Sequence, residues 1–341
     1  MNASQTCSGQ VDAPAHLFFI VAHSLVFLVG LFLNGFTLRF YFFQAQQPAP
    51  SSVTVYLKNL AVADFLVSLC LPLRIANYAS SSIAVRQVYC NFGASAFYLN
   101  MYASILFMGF VAANRYLKIV RPAGTHVLQT VRAARGIATV TWAFLLAIMT
   151  TYIALSLASR EPLPPAPGPV SCDALHSKQL NLFYKVIHAC TAAVFLLVLA
   201  SLAFFYYRTS CRLSQAQQKQ LASSGSKKLA KSRRNMSVLV TVFAVCFVPY
   251  HLVRLPYMFL WRRCSWNQAF FYAKELTVLM SVLNVCLDPI IYFIFCKAFR
   301  ARLRPRRVFS ATQEATRGDD ADKRSSRWTS PNVHLSRLNL Q

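Results

Sequence analysis

The chain has 341 residues, of which 56% are hydrophobic and 13% charged, about half the charged share of a typical soluble domain. Lys and Arg outnumber Asp and Glu by 35 to 10, giving a net charge of +25. The bases interrupt hydrophobic runs and do not coat a soluble surface, which argues against a nucleic-acid partner and for one membrane-embedded unit.

No signal peptide with a small-residue cleavage site is evident before the first long apolar run, so that run is expected to act as its own targeting signal. Residues 1–16 read as an extracellular amino terminus, with Asn2 in an Asn2-Ala3-Ser4 glycosylation sequon that is useful only if translocated. A helix needs about 20 apolar residues to cross the hydrocarbon core. Residues 17–43, 53–76, 88–120, 136–157, 180–207, 236–260 and 269–296 meet that requirement, which predicts an all-α membrane protein, a seven-transmembrane helix bundle over 17–296. Pro249 and Pro289 fall inside spans six and seven, where neighbouring helices and waters satisfy the freed carbonyls. A Pro-rich loop (160–169) and a polar connection (214–231) are the long links, and 309–341 reads as a disordered cytoplasmic tail.

Loop charge sets the orientation. Lys118, Arg121, Arg132 and Arg135 lie between spans three and four, and Arg208, Arg212, Lys219, Lys227, Lys228, Lys231, Arg233 and Arg234 between five and six. No Lys or Arg precedes Leu17. The amino terminus is therefore expected outside, in a multi-pass protein of the plasma membrane. After span seven, 297–308 alternates bases with Ala298, Phe299, Leu303 and Val308. It reads as a short amphipathic helix on the anionic inner leaflet, or equally as a basic stop-transfer flank.

Polar groups inside the spans narrow the function, because they are costly in lipid. Gly30 to Asn34, Asn59 to Asp64, Asn114-Arg115-Tyr116, Trp142, Phe247-Val248-Pro249 and Asp288-Pro289-Ile290-Ile291-Tyr292 occur in that order, each in its own span. Together they resemble rhodopsin-like G-protein-coupled receptors along the whole membrane region. Phe97 to Tyr102, Cys246 to Tyr257, Tyr272-Ala273-Lys274-Glu275 and Leu283 to Pro289 are similar to the purinergic nucleotide-receptor branch. That branch includes receptors for ADP and for UDP-glucose, and orphans.

The resemblance implies a Cys90–Cys172 bridge between span three and the second outer loop, and a Cys7–Cys264 bridge from the amino terminus to the third. Both would lie on the oxidising side. It implies an agonist site at the outer end, for which the residues themselves offer Arg254, Lys274, Tyr98, His251, Tyr257 and Arg86, with Tyr184 and His188 on span five. Cations with aromatic rings suit an anionic ligand carrying a ring. The plain alternative is that Lys274 pairs with Glu275 and that Arg254 and Lys274 reach the headgroups. Tyr184, His188, Thr151 and Tyr152 depart from the ADP receptor in the part of the pocket expected to read a base. A receptor for an anionic lipid such as a lysophospholipid is the competing reading.

Asp64, Ser104, Asn284 and Asp288 are expected to cradle an allosteric sodium ion, or a water network in its place. No other cofactor is expected. At the inner end Arg115, with Asn114, Tyr116, Phe247, Pro249, Asp288, Pro289 and Tyr292, is expected to couple to a heterotrimeric G protein of the inhibitory class. Receptor kinases and arrestin are the expected partners of the Ser/Thr-containing tail. Asn114 stands where many relatives carry an acid, and no Asp or Glu lies between Arg208 and Arg254, which predicts weak ionic restraint of Arg115. Val282 and Phe97 occupy the places of a retinal lysine and an amine-binding aspartate. No internal repeat points to a transporter, and no nucleophile–base or metal-ligand spacing points to an enzyme.

Overall fold

In a computed structural model, residues 13–43, 51–120, 127–158, 172, 177–218, 224–260, 267–296 and 299 are described. Among them lie seven helices long and apolar enough to cross a membrane. They are α1 (Ala13–Phe43), α2 (Ser52–Ala79), α3 (Ile83–Val120), α4 (Val131–Ala158), α5 (Lys178–Gln218), α6 (Ser224–Leu260) and α7, which runs as Asn267–Val282 and Asn284–Phe295. "Outer" below denotes the end carrying Cys90, and "inner" the end carrying Arg115.

Several helices outrun the hydropathy signal. The polar connection expected over 214–231 is instead mostly helix: α5 continues to Gln218 and α6 already begins at Ser224. Ala, Gln, Lys and Leu dominate there and favour helix in water as well as in lipid, so the end of an apolar run marks the membrane and not the helix. α4 likewise starts five residues before Gly136, and α3 five before Val88.

The burial pattern is that of a bundle in lipid. Phe32 is 73% and Leu252 69% exposed, which in an apolar helix is a surface for acyl chains. Ile105, Phe107 and Met108 of α3, Phe243 and Phe247 of α6, and Val285 and Ile291 of α7 are buried in the common core.

Proline chemistry explains one of the tightest junctions. Pro289 has no N–H, so the carbonyl of Val285, four residues earlier, loses its helical donor. Asn34 Nδ2 of α1 supplies one at 2.7 Å, and also donates to Gly30 O at 3.0 Å. Gly30 makes that approach feasible: a Cβ there would lie 2.7 Å from Val285 Cγ2 and 2.8 Å from Ser68 Oγ. Trp142 Nε1 of α4 donates to Asn59 Oδ1 of α2 at 2.9 Å. α7 is interrupted at Leu283, whose N–H is shared between Leu279 O and Met280 O.

Cys90, within a π-helical turn of α3 (Tyr89–Gly93), is bonded to Cys172 with a Cα–Cα distance of 5.5 Å. The Cys7–Cys264 bridge, the Asn2 sequon, the Pro-rich loop and the tail lie outside the described residues, as does 297–308 apart from Phe299. Phe299 is helical and buried, and its ring meets Phe36 and Phe40 of α1 edge-on.

Candidate ligand, cation and G-protein sites

Four helices bring the predicted outer residues together. Arg254, three residues past His251 in α6, is 7% exposed. Its guanidinium lies 5.8 Å from the Tyr98 ring of α3, 5.5 Å from Tyr184 of α5 and 5.6 Å from Tyr257 of α6. Its Nη2 contacts His188 Nε2 at 3.4 Å. The tautomer follows from the other ring nitrogen: His188 Nδ1 faces Tyr184 O at 2.9 Å, so Nδ1 carries the proton and Nε2 is the acceptor. Tyr98 meets His188 edge-on at 5.9 Å, and Tyr184 lies 4.1 Å from the same ring. Lys274 of α7 joins through Tyr257, whose ring lies 5.1 Å from Nζ. One phenol thus stands between two cations, an arrangement of aromatic faces and positive charge worth about 0.5–2 kcal/mol per contact.

One predicted member stands apart from this cage. His251 lies deeper, its Nδ1 on Phe247 O at 2.8 Å and its Nε2 within 3.2 Å of the Tyr102 hydroxyl. Its ring stacks on Phe195 at 3.7 Å, so packing within the α3–α5–α6 core claims the side chain. Arg86 lies half-buried at the outer end of α3, four residues before Cys90.

Arg74 of α2 belongs to the outer site, and sequence reasoning missed it. It is 4% exposed, donates to Glu275 Oε2 at 2.5 Å, and donates to the hydroxyls of Tyr89 at 2.8 Å and Tyr78 at 3.1 Å. The Tyr78 hydroxyl also donates to Glu275 Oε2. Lys274 Nζ reaches the other carboxylate oxygen at 3.0 Å. The readable signal was Glu275 itself: an acid at membrane depth requires cations, and Arg74 is one of the few that a span supplies.

In the middle of the bundle, Asp64 Oδ1 accepts from Ser104 Oγ at 2.9 Å and Asn284 Nδ2 at 3.2 Å, while Oδ2 accepts from the Tyr292 hydroxyl at 2.5 Å. Asp288 is fully buried, and neither of its carboxylate oxygens meets a hydrogen-bond donor at bonding distance among the described residues. No group of three or more His, Cys, Asp and Glu with metal-ligand geometry occurs among the described residues. A site here would rely on two carboxylates plus neutral oxygens.

At the inner end Arg115 donates from Nη2 to Phe295 O at 2.8 Å, and its guanidinium lies 4.7 Å from the Phe295 ring. Phe295 ends α7, so this carbonyl is one that the helix leaves without an internal donor, at the negative end of its dipole. Asn114 Nδ2 donates to Ser52 Oγ of α2 at 2.8 Å. Tyr116 stacks on Phe205 of α5 at 4.8 Å. Tyr292 points to Asp64, as given above, and Tyr207 is 64% exposed. Phe247, fully buried, packs on Phe243 one turn inward, and Pro249 follows it within α6.

Comparison with known proteins supplies the family. Residues 17–292 match the model of the 7 transmembrane receptor (rhodopsin family). The chain is 33% identical over 310 residues to purinoceptor 14 of Bos taurus, covering 88% of this chain and 90% of that protein. It is 30% identical over 323 residues to purinoceptor 13 of Homo sapiens, covering 92% and 88%. It is also 30% identical to G-protein coupled receptor 87 of Mus musculus, covering 89% and 84%. With the motif residues seated in seven membrane-spanning helices and the family model covering them, this chain belongs to the rhodopsin family of seven-transmembrane, G-protein-coupled receptors.

Proposed function

We propose that this receptor, with its amino terminus outside the cell, binds an extracellular anionic, nucleotide-like agonist and activates an inhibitory heterotrimeric G protein. The observation that carries the ligand class is the cage of Arg254, Lys274, Tyr98, Tyr184, His188 and Tyr257. Rings and cations converging from α3, α5, α6 and α7 offer faces for a base and charge for a phosphate. The names of the purinoceptor relatives point the same way. On activation, α6 swings outward from Pro249, Arg115 leaves the Phe295 carbonyl, and the opened inner face receives the G protein. An agonist drives this only through tighter binding to the open state.

Arg254→Ala and Lys274→Ala are each expected to weaken a nucleotide agonist by about 2–4 kcal/mol at normal surface level. Potency is read as agonist-driven inhibition of cAMP production. Unchanged potency in both variants would overturn the anionic site. In the same cells, competition between nucleotides and lysophospholipids separates the two ligand classes, and a response confined to the lipid would move the assignment.

Asp64, Ser104, Asn284 and Asp288 suit a sodium ion, because the buried Asp288 carboxylate, with no donor at bonding distance among the described residues, calls for a cation or a proton. Hard oxygen ligands match a hard cation. When bound, the ion would supply positive charge between two carboxylates and so stabilise the resting bundle. Asp64 is oriented for this by Ser104, Asn284 and Tyr292. Sodium chloride should raise the melting temperature of the purified receptor above that in choline chloride, and Asp288→Asn should abolish the difference. Equal melting of the wild type in both salts would leave a water network as the occupant.

A further inference from the structure

The outer site contains its own anion. Glu275 spans two helices: Oε1 lies 3.0 Å from Lys274 Nζ of α7, and Oε2 lies 2.5 Å from Arg74 Nη2 of α2. The side chains of Arg74 and Glu275 are 5% and 7% exposed, and that of Lys274 is 18% exposed. Adjacent residues on a helix point in different directions, so the Lys274–Glu275 contact requires the lysine stem to fold back. Glu275 also accepts from Tyr78. Two cations thus share one carboxylate, and Arg74 Nε, buried, has no acceptor among the described residues. Lys274 is the more accessible cation and faces the cage through Tyr257.

We propose that Glu275 is a built-in counter-ion that occupies the anion site of the empty receptor and competes with the agonist for Lys274. The proposal rests on the anionic-ligand reading and sharpens it. An incoming anion gains energy in proportion to its own charge multiplied by the potential at Lys274. Glu275 lowers that potential without reversing it, because Arg74 and Lys274 outnumber it. Every incoming anion is therefore held less tightly than the two cations alone would hold it, and the loss grows with the charge of the anion. As the agonist takes Lys274, Arg74 retains Glu275, so the carboxylate is displaced from one partner and not stranded. Such a device compensates part of the buried positive charge while the site is empty.

The test uses the purified full-length receptor, two probes and a binding readout by thermal shift and calorimetry. Pyrophosphate is the multiply charged probe, and benzenesulfonate is a ring-bearing monoanion. The wild type should bind pyrophosphate. Glu275→Gln should tighten pyrophosphate by about tenfold or more and benzenesulfonate by less, in line with its single charge. Glu275→Asp, which draws the carboxylate back from Lys274, should give a smaller gain of the same sign, and it decides the matter if the Gln variant does not fold. If the carboxylate variants bind pyrophosphate no tighter than the wild type, while Arg254→Ala weakens it, Glu275 is not the competitor and the anionic-ligand reading stands. If neither the wild type nor Glu275→Gln binds pyrophosphate, both readings fall.

Discussion

The two ends of the bundle both centre on arginines but restrain them in different ways. Outside, Arg74 and Lys274 are held by the carboxylate of Glu275. Inside, Arg115 is held by the Phe295 backbone carbonyl and ring, while Asn114 is turned away to Ser52. A full charge can be displaced by another anion from solution, so the outer restraint is chemically addressable. A carbonyl at a helix terminus is released only when the helix or the arginine moves, so the inner restraint is mechanical. The sequence predicts weak ionic restraint of Arg115, and the contacts made here with Phe295 are to a carbonyl and a ring, neither of them an ion pair.

The strongest way to break the outer end is to remove its covalent anchor. Cys90→Ala deletes a bridge closing an 82-residue separation, which costs about 2–5 kcal/mol in small secreted domains. Surface expression or ligand response should be lost, measured by surface labelling with agonist-driven cAMP inhibition; wild-type values for both would contradict the assigned role. The junction between the ends is probed by Gly30→Ala, whose Cβ would press on Val285 Cγ2 and Ser68 Oγ. Overpacking of this kind costs about 1–3 kcal/mol, and the melting temperature of the purified receptor should fall accordingly. An unchanged melting temperature would mean that α1 and α7 can part without loss.

The smallest effect is expected at the inner end. Asn114→Asp places a carboxylate beside Arg115 at unchanged length, adding to the Phe295 contact. A bias of about 1.4 kcal/mol is tenfold in population. Agonist-free inhibition of cAMP production should fall by up to about tenfold at matched expression, with the maximal agonist response kept. Equal basal signals in the two receptors would show that other contacts hold Arg115 and that the missing carboxylate is a neutral variation.

Fold and site differed in how far the sequence disclosed them. Seven spans follow from apolar length alone, and Asn34, Asp64, Arg115 and Pro289 fall where the family resemblance puts them. The cage around Arg254 was legible in part, because Arg254 and Tyr257 share helical spacing and the other members are cations or rings toward the outer ends of their spans. Arg74 was not, because a lone arginine after Leu71-Pro72-Leu73 carries no periodic signal, and its partner lies 201 residues away. His251 shares the face of Arg254 by spacing but is captured by Phe195, a contact between helices that one helix cannot announce. The Phe295 carbonyl was equally hidden, since backbone acceptors at a helix end have no side-chain signature.

The length of α6 has a mechanical consequence. From Pro249 the helix runs 25 residues inward to Ser224 and 8 residues outward to Tyr257, arms of about 37 Å and 12 Å at 1.5 Å per residue. A stiff rod pivoting at the proline would turn a displacement of about 1 Å beside Tyr257 into one of about 3 Å at Ser224. Under the proposed outward swing, the extra turns that extend α6 past the apolar run would act as a gain setting. Shortening them would leave ligand affinity alone and reduce the stroke delivered to whatever waits beneath the membrane.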